Sequence, residues 1–136
     1  MEIERFRPEH LESVLALCAA EGWPSLPEDP ARALRILRAP GVTTVVAMAD
    51  GAVVGFAELF SDGEVQAFLT SIAVDSRSRG QGIGRALVAE SLRLAGGERI
   101  DLLSEDESVG FYESFPHFVK PGYRLYPFHD GDDGDA

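Results

Sequence analysis

The residues of this chain best placed to do chemistry are Arg79-Gly80-Gln81-Gly82-Ile83-Gly84. They follow an apolar run, Ser71-Ile72-Ala73-Val74-Asp75, and lead into a helical pattern carrying Ile83, Ala86, Leu87 and Leu94. Glycines let backbone amides approach a ligand closely, and the first amides of a helix have no acceptor inside it. Added to the helix dipole, such amides make an anion site suited to phosphates. Between Ser76 and Ala89 stand Arg77, Arg79 and Arg85 and no acid, a local +3 in a chain of net charge −11. Two common phosphate loops are excluded. Counted from Gly80, the third glycine of G-x-G-x-x-G falls on Arg85, and no G-x-x-x-x-G-K-[ST] occurs. The pattern present is R-x-x-G-x-G.

The rest of the composition narrows the function classes. Asp130, Asp132, Asp133 and Asp135 crowd the C-terminus, and the net charge of −11 sets the chain against nucleic acid and anionic membranes. His10, His117 and His129 form no ligand-like spacing, so no metal is expected. Cys18, the single cysteine, cannot form an internal disulfide and sits on an apolar helix face. The start, Met-Glu-Ile-Glu, is acidic where a signal peptide is basic, and no apolar run approaches the ~20 residues of a membrane span. A cytoplasmic location is the expectation.

The elements that must position the loop can be traced along the chain. Ile3 to Arg7 suits a strand; Leu11, Val14, Leu15 and Cys18 mark an amphipathic helix ending near Gly22. Asp29-Pro30 has the chemistry of a helix start, with Leu34 and Leu37 on one side. A meander follows: Thr43 to Ala49, an Asp50-Gly51 turn, Ala52 to Phe60, an Asp62-Gly63 turn, and Val65 to Val74. After the helix from Gly82 to Leu94, Arg99 to Leu103 reads as a strand and Ser108 to Ser114 as a short helix. Phe118-Val119 and Tyr123 to Tyr126, joined through Pro121-Gly122, read as a last strand pair. The order β-α-α-β-β-β-α-β-α-β-β predicts an α/β fold with a mixed, largely antiparallel sheet flanked by helices. One domain, residues 1–128, is expected, with an acidic disordered tail at 129–136.

In two places the chain resembles the GNAT superfamily of acetyl-CoA-dependent N-acetyltransferases. One is Ile72-Ala-Val-Asp75 followed by R-x-x-G-x-G; the other is Ser108-Val-Gly-Phe-Tyr-Glu113, at the expected distance. The resemblance runs in element order from residue 3 to about 126. It implies a centrally splayed sheet and a coenzyme A site made by Ile72, Ala73, Val74, Arg79, Gly80, Gln81, Gly82, Ile83, Gly84 and Arg85. The loop amides would hold the pyrophosphate, while main-chain groups of Ile72 and Val74 pair with pantetheine as an added strand. The Ile72 amide would stabilise the oxyanion of the tetrahedral intermediate. Tyr112 would protonate the departing thiolate, with Phe111, Ser104 and Asp106 beside the coenzyme. Glu105 stands where relatives often carry an asparagine, and Phe115-Pro116 replaces their common Gly-Phe.

An alkyl amine acceptor is cationic at neutral pH, its pKa being near ~10.4, and must lose a proton before attack. Relatives often place a carboxylate on the central strands for this; here Gln66, Phe68 and Thr70 occupy such positions. Glu58 is the first candidate base and Glu64 the second, with a solvated strand acid as the bland alternative for Glu58. Trp23, Glu64, Gln66 and Tyr123 are expected near the acceptor. The resemblance therefore implies direct, sequential acetyl transfer from acetyl-CoA to a primary amine of a small molecule or peptide. The acidic balance favours a cationic acceptor such as a polyamine, an aminoglycoside-like compound or a lysine side chain. Nucleic acid and membrane partners are not expected, and a homodimer is the assembly common in the family. A coenzyme-binding regulatory module without turnover is the alternative that the missing strand carboxylate leaves open.

Overall fold

A computed structural model describes residues 1–129. The chain packs as two compact units, one running Met1–Leu102 and a second beginning at Leu103. The first unit holds the sheet: β1 (Glu2–Arg5), α1 (Leu11–Ala20), α2 (Pro30–Leu37), β2 (Val42–Ala49), β3 (Ala52–Ser61), β4 (Gln66–Val74), α3 (Ile83–Ala95) and β5 (Arg99–Asp101). Strand order is β1-β2-β3-β4-β5; the first four are antiparallel and β5 lies parallel to β4. A parallel neighbour needs a crossover, and α3 supplies it.

Local chemistry explains the joints. Asp50 and Gly51 both take positive φ, 51° and 79°, as a tight hairpin with the twist of its strands requires. Asp62 organises the next turn: its carboxylate accepts the amides of Glu64, Val65 and Gln66 at 2.8, 2.8 and 3.2 Å. These bonds hold its pKa below the ordinary carboxylate value. Asp29 caps α2 by accepting the Arg32 amide at 3.1 Å, with Pro30 in the first turn.

The sheet is covered on both faces. Val14, Leu17 and Cys18 of α1 and Leu37 of α2 pack with Val46, Phe56 and Ala73 from the strands. On the other face, α3 lies so close that a Cβ on Gly55 would meet Leu87 Cδ1 at 3.1 Å and Ile83 Cγ2 at 3.5 Å. A register shift between Glu58 and Leu59 puts a bulge in β4 at Thr70: Leu59 pairs with Leu69, but Glu58 pairs with Ser71. Pairing of β4 with β5 stops at Phe68–Asp101, while β4 runs on to Val74. This parting is the expected splay.

The second unit contains a 3₁₀ turn, Asp106–Ser108, and α4 (Val109–Glu113). The expected last strand pair is not formed: Phe118-Val119 and Tyr123 to Tyr126 are not in strands. Phe118, Val119 and Tyr123 are 92%, 82% and 83% exposed. Aromatic and β-branched residues signal strand, but a strand forms only where a neighbour takes its hydrogen bonds, and a lone hairpin is marginal in water. Five of the seven expected strands therefore form the sheet. Of the tail expected at 129–136, residues 130–136 lie outside the described residues. Among those described, no helix is long and apolar enough to cross a membrane.

Candidate active site

The glycine loop begins where β4 ends. Asp75 donates its amide to Val54 O at 2.8 Å, which fixes the strand end to β3. Its carboxylate accepts the Arg77 amide at 2.9 Å and the Arg77 guanidinium at 3.0 Å, and these contacts hold its pKa down at about 2. Gly80 and Gly82 take φ of 79° and 82°, the left-handed region that other residues rarely enter. A Cβ added to either would meet nothing within 4 Å, so the turn borders open space. Gly82 caps α3, whose first ladder bond is Ala86 N–H to Gly82 O at 3.1 Å. The amides of Ile83 and Gly84 precede that bond. Ile83 buries its side chain beneath Gly55, anchoring the turn, while Gln81 is exposed.

The arginine island is not the bare +3 expected from the sequence. Arg77 is paired with Asp75, and Arg79 donates to Val74 O at 3.1 Å and to the carboxylate of Glu21. Glu21 caps the C-terminus of α1, so its approach to Arg79 depends on tertiary packing. It is the backbone amides and glycine geometry, more than net charge, that could hold an anion at this turn.

Ile72, Ala73 and Val74 lie on β4 beyond the bulge, paired with Ala57, Phe56 and Gly55 on one side. Ala73 is buried in the core, and Ile72 and Val74 are half-buried. Glu58, opposite Ser71, is only 2% exposed, which rules out the solvated-acid alternative. Burial pushes its pKa up, and a hydrogen bond from Ser71 partly offsets this. Cys18 of α1, 1% exposed, lies near the same carboxyl. Its thiol is pushed up to about 11 by burial, then by the charges of Glu58 and Glu21. The thiol is therefore protonated at neutral pH and unsuited to nucleophilic attack.

The other expected residues divide into two groups. Trp23 donates its amide to Cys18 O at 3.0 Å, and its half-buried side chain packs against the α1–sheet core. Gln66 accepts from Arg99 Nε at 2.6 Å and donates to Ala67 O at 2.9 Å, which ties the start of β4 to β5. Glu64 is exposed in the Asp62 turn. Glu64 and Gln66 thus sit at the opposite end of β4 from Ile72–Val74. In the second unit, Phe111 stacks edge-on with Tyr112 and Phe115, ring centroids 5.1 and 5.4 Å away. Burial pushes the Tyr112 phenol up, so it is held in its proton-donating form. Ser104 donates to Glu105 O at 2.8 Å, Asp106 opens the 3₁₀ turn, and Tyr123 is exposed.

Sequence reasoning missed Ser71, Glu21 and Asp75. The Asp75-Ser-Arg77 spacing does signal the Asp75 turn. Ser71 and Glu21 carry no such signal, because their partners come from other elements. Among the described residues, no three His, Cys, Asp or Glu side chains gather as metal ligands.

The sheet parts beyond Phe68, and the parted strand leads through a 3₁₀ turn, Ser76–Ser78, and the glycine turn into the start of α3. The chain belongs to the GNAT acetyltransferase family, whose model matches residues 8–116. Several solved structures are similar to it. An acetyltransferase proposed for Agrobacterium tumefaciens is 26% identical with a TM-score of 0.75, covering 93% of this chain and 99% of that one. An acetyltransferase of Trypanosoma brucei is 25% identical with a TM-score of 0.71, covering 92% and 98%. The aminoglycoside N-acetyltransferase AAC(6')-Iy, solved with a bisubstrate analogue, CoA-S-monomethyl-acetylneamine, is 25% identical with a TM-score of 0.74, covering 92% and 95%. No curated protein matches the chain.

Proposed function

We propose that this protein transfers an acetyl group from acetyl-CoA to a primary amine by direct, sequential transfer. The observation that carries the proposal is the length of β4 from Leu69 to Val74, released from β5 and leading through the Ser76–Ser78 3₁₀ turn into the Gly80–Gly82 turn. A released strand edge suits the amide-bearing pantetheine arm, and the open turn at the start of α3 suits a diphosphate. A Cβ at Gly80 or Gly82 would meet no atom within 4 Å, so the turn leaves its backbone open to a diphosphate and the residues present fit the coenzyme.

Acetyl-CoA brings an acyl group already activated as a thioester. The chain's share is to hold, orient and move protons. The amides of Gly80, Gln81, Gly82, Gly84 and Arg85 bind the diphosphate, and Arg79 braces the turn through Val74 O. The Ile72 amide donates to the acyl oxygen as negative charge develops there. Glu58, with its pKa raised by burial, takes the proton of the attacking amine through one water. Tyr112 delivers a proton to the leaving sulfur, a role that rests on its Phe-Tyr-Glu motif. The acceptor is a cationic amine, a choice favoured by the net charge of −11 and by the aminoglycoside named for one similar structure.

Melting the chain with acetyl-CoA, and then assaying thiol release with spermidine, neamine and a lysine peptide, tests the proposal. Coenzyme at a hundredfold over Kd should add ~2.7 kcal/mol of stability. Tyr112→Phe should lower turnover and leave coenzyme affinity nearly intact; equal losses in both would contradict the acid role. Stabilisation with no turnover on any amine would favour the regulatory module, and no stabilisation would refute both.

A further inference from the structure

We propose that Ser71 is a positioning residue for Glu58: the bulge at Thr70 brings it onto the carboxylate's face, and its hydroxyl holds that carboxylate in one orientation. The proposal rests on Glu58 being the base.

Side chains along a strand alternate between faces, so one extra residue reverses every position after it. Phe60 pairs with Phe68 and Leu59 with Leu69; without a bulge, Glu58 would face Thr70. The shift puts Ser71 opposite Glu58 instead and Ala73 opposite Phe56, inside the core that α1 and α2 cover. Bulges re-aim side chains next to functional sites, and this one falls immediately before Ile72–Val74.

Two hydroxyls flank Glu58 across the sheet, Thr44 on β2 and Ser71 on β4. Thr44 has committed its proton: Oγ1 donates to Leu37 O of α2 at 2.9 Å. That leaves Ser71 as the donor, and its hydrogen bond favours the charged carboxylate against burial. From α1, the titratable neighbour is Cys18, whose thiol near 11 stays protonated through the working range; Glu21 acts on the same thiol. Ser71 is thus the contact on this face that steadies the ionised base.

Carbon-13 NMR on the full chain, labelled at glutamate Cδ and with Glu58 assigned by loss of its signal in Glu58→Gln, tests this without any acceptor. Ser71→Ala should move the Glu58 midpoint to higher pH by about tenfold in ionisation constant, ~1.4 kcal/mol. Ser71→Thr, which keeps the hydroxyl, should restore it. Should Ser71→Ala fail to fold, Ser71→Cys, a weak donor of similar size, should show the same upward direction. An unchanged midpoint in a folded variant overturns the Ser71 role, as does a threonine variant that behaves like alanine. Full turnover in Glu58→Gln, by contrast, overturns the base itself and with it the catalytic meaning of Ser71.

Discussion

Glu58→Gln should raise stability and destroy activity together. Glu58 is 2% exposed, and burial raises its pKa more than the Ser71 hydrogen bond lowers it. Its folded pKa therefore lies above the unfolded value of about 4.3, and the folded state binds its proton more tightly. Whatever stability this confers is fully present below the unfolded pKa and is lost as pH rises through the folded pKa. Above that folded pKa the native chain carries a buried charge, a cost that a neutral side chain in its place avoids. Glutamine keeps the shape, its carbonyl can accept from Ser71, and its amide can donate to Thr44 Oγ1, whose own proton goes to Leu37 O. A gain at pH 7.5 of about 1.4 kcal/mol is expected for each unit by which burial raises the folded pKa. For a chain of this size ~1 kcal/mol is about 3–6 °C in Tm. Thermal unfolding of both proteins at pH 4 and pH 7.5 measures this, the difference between them cancelling every other titrating group. Turnover should fall by about 10²–10⁴ with coenzyme affinity kept. A variant less stable than the parent at pH 7.5, or a difference that does not grow with pH, would refute the argument.

Further outcomes can be checked separately. Gly55→Ala would bring a Cβ to 3.1 Å from both Ala73 O and Leu87 Cδ1, so urea unfolding should show a loss of about 1–3 kcal/mol from overpacking between sheet and α3. Gly82→Ala meets no atom within 4 Å but must keep φ near 82°, which costs about 1–2 kcal/mol and should weaken acetyl-CoA binding by calorimetry; unchanged affinity would argue against the turn as the diphosphate site. Cys18, buried and pushed up to about 11, should stay unlabelled by iodoacetamide at pH 8 in the native chain and react once unfolded, as mass spectrometry would show.

The sequence by itself determined what depends on neighbours along the chain. Asp50-Gly51 makes a hairpin because its residues tolerate positive φ, and Asp29-Pro30 starts a helix because an aspartate can accept from the Arg32 amide. The turn at Gly80 and Gly82 was legible for the same reason, as was the strand, loop and helix around it. Tertiary structure decided whatever needed a partner from elsewhere. Glu58 could be exposed or buried until α1 and α2 closed over its face. Arg79 could hold bare charge until the end of α1 brought Glu21 to it. Ser71 faces Glu58 only because the ladder slips by one residue at Thr70, which no local pattern announces. Tyr123 to Tyr126 has strand-forming residues yet forms no strand. Turn chemistry is set by a residue's own torsions and near neighbours, whereas burial, strand register and ion pairing are set by surfaces that meet only when the chain has folded.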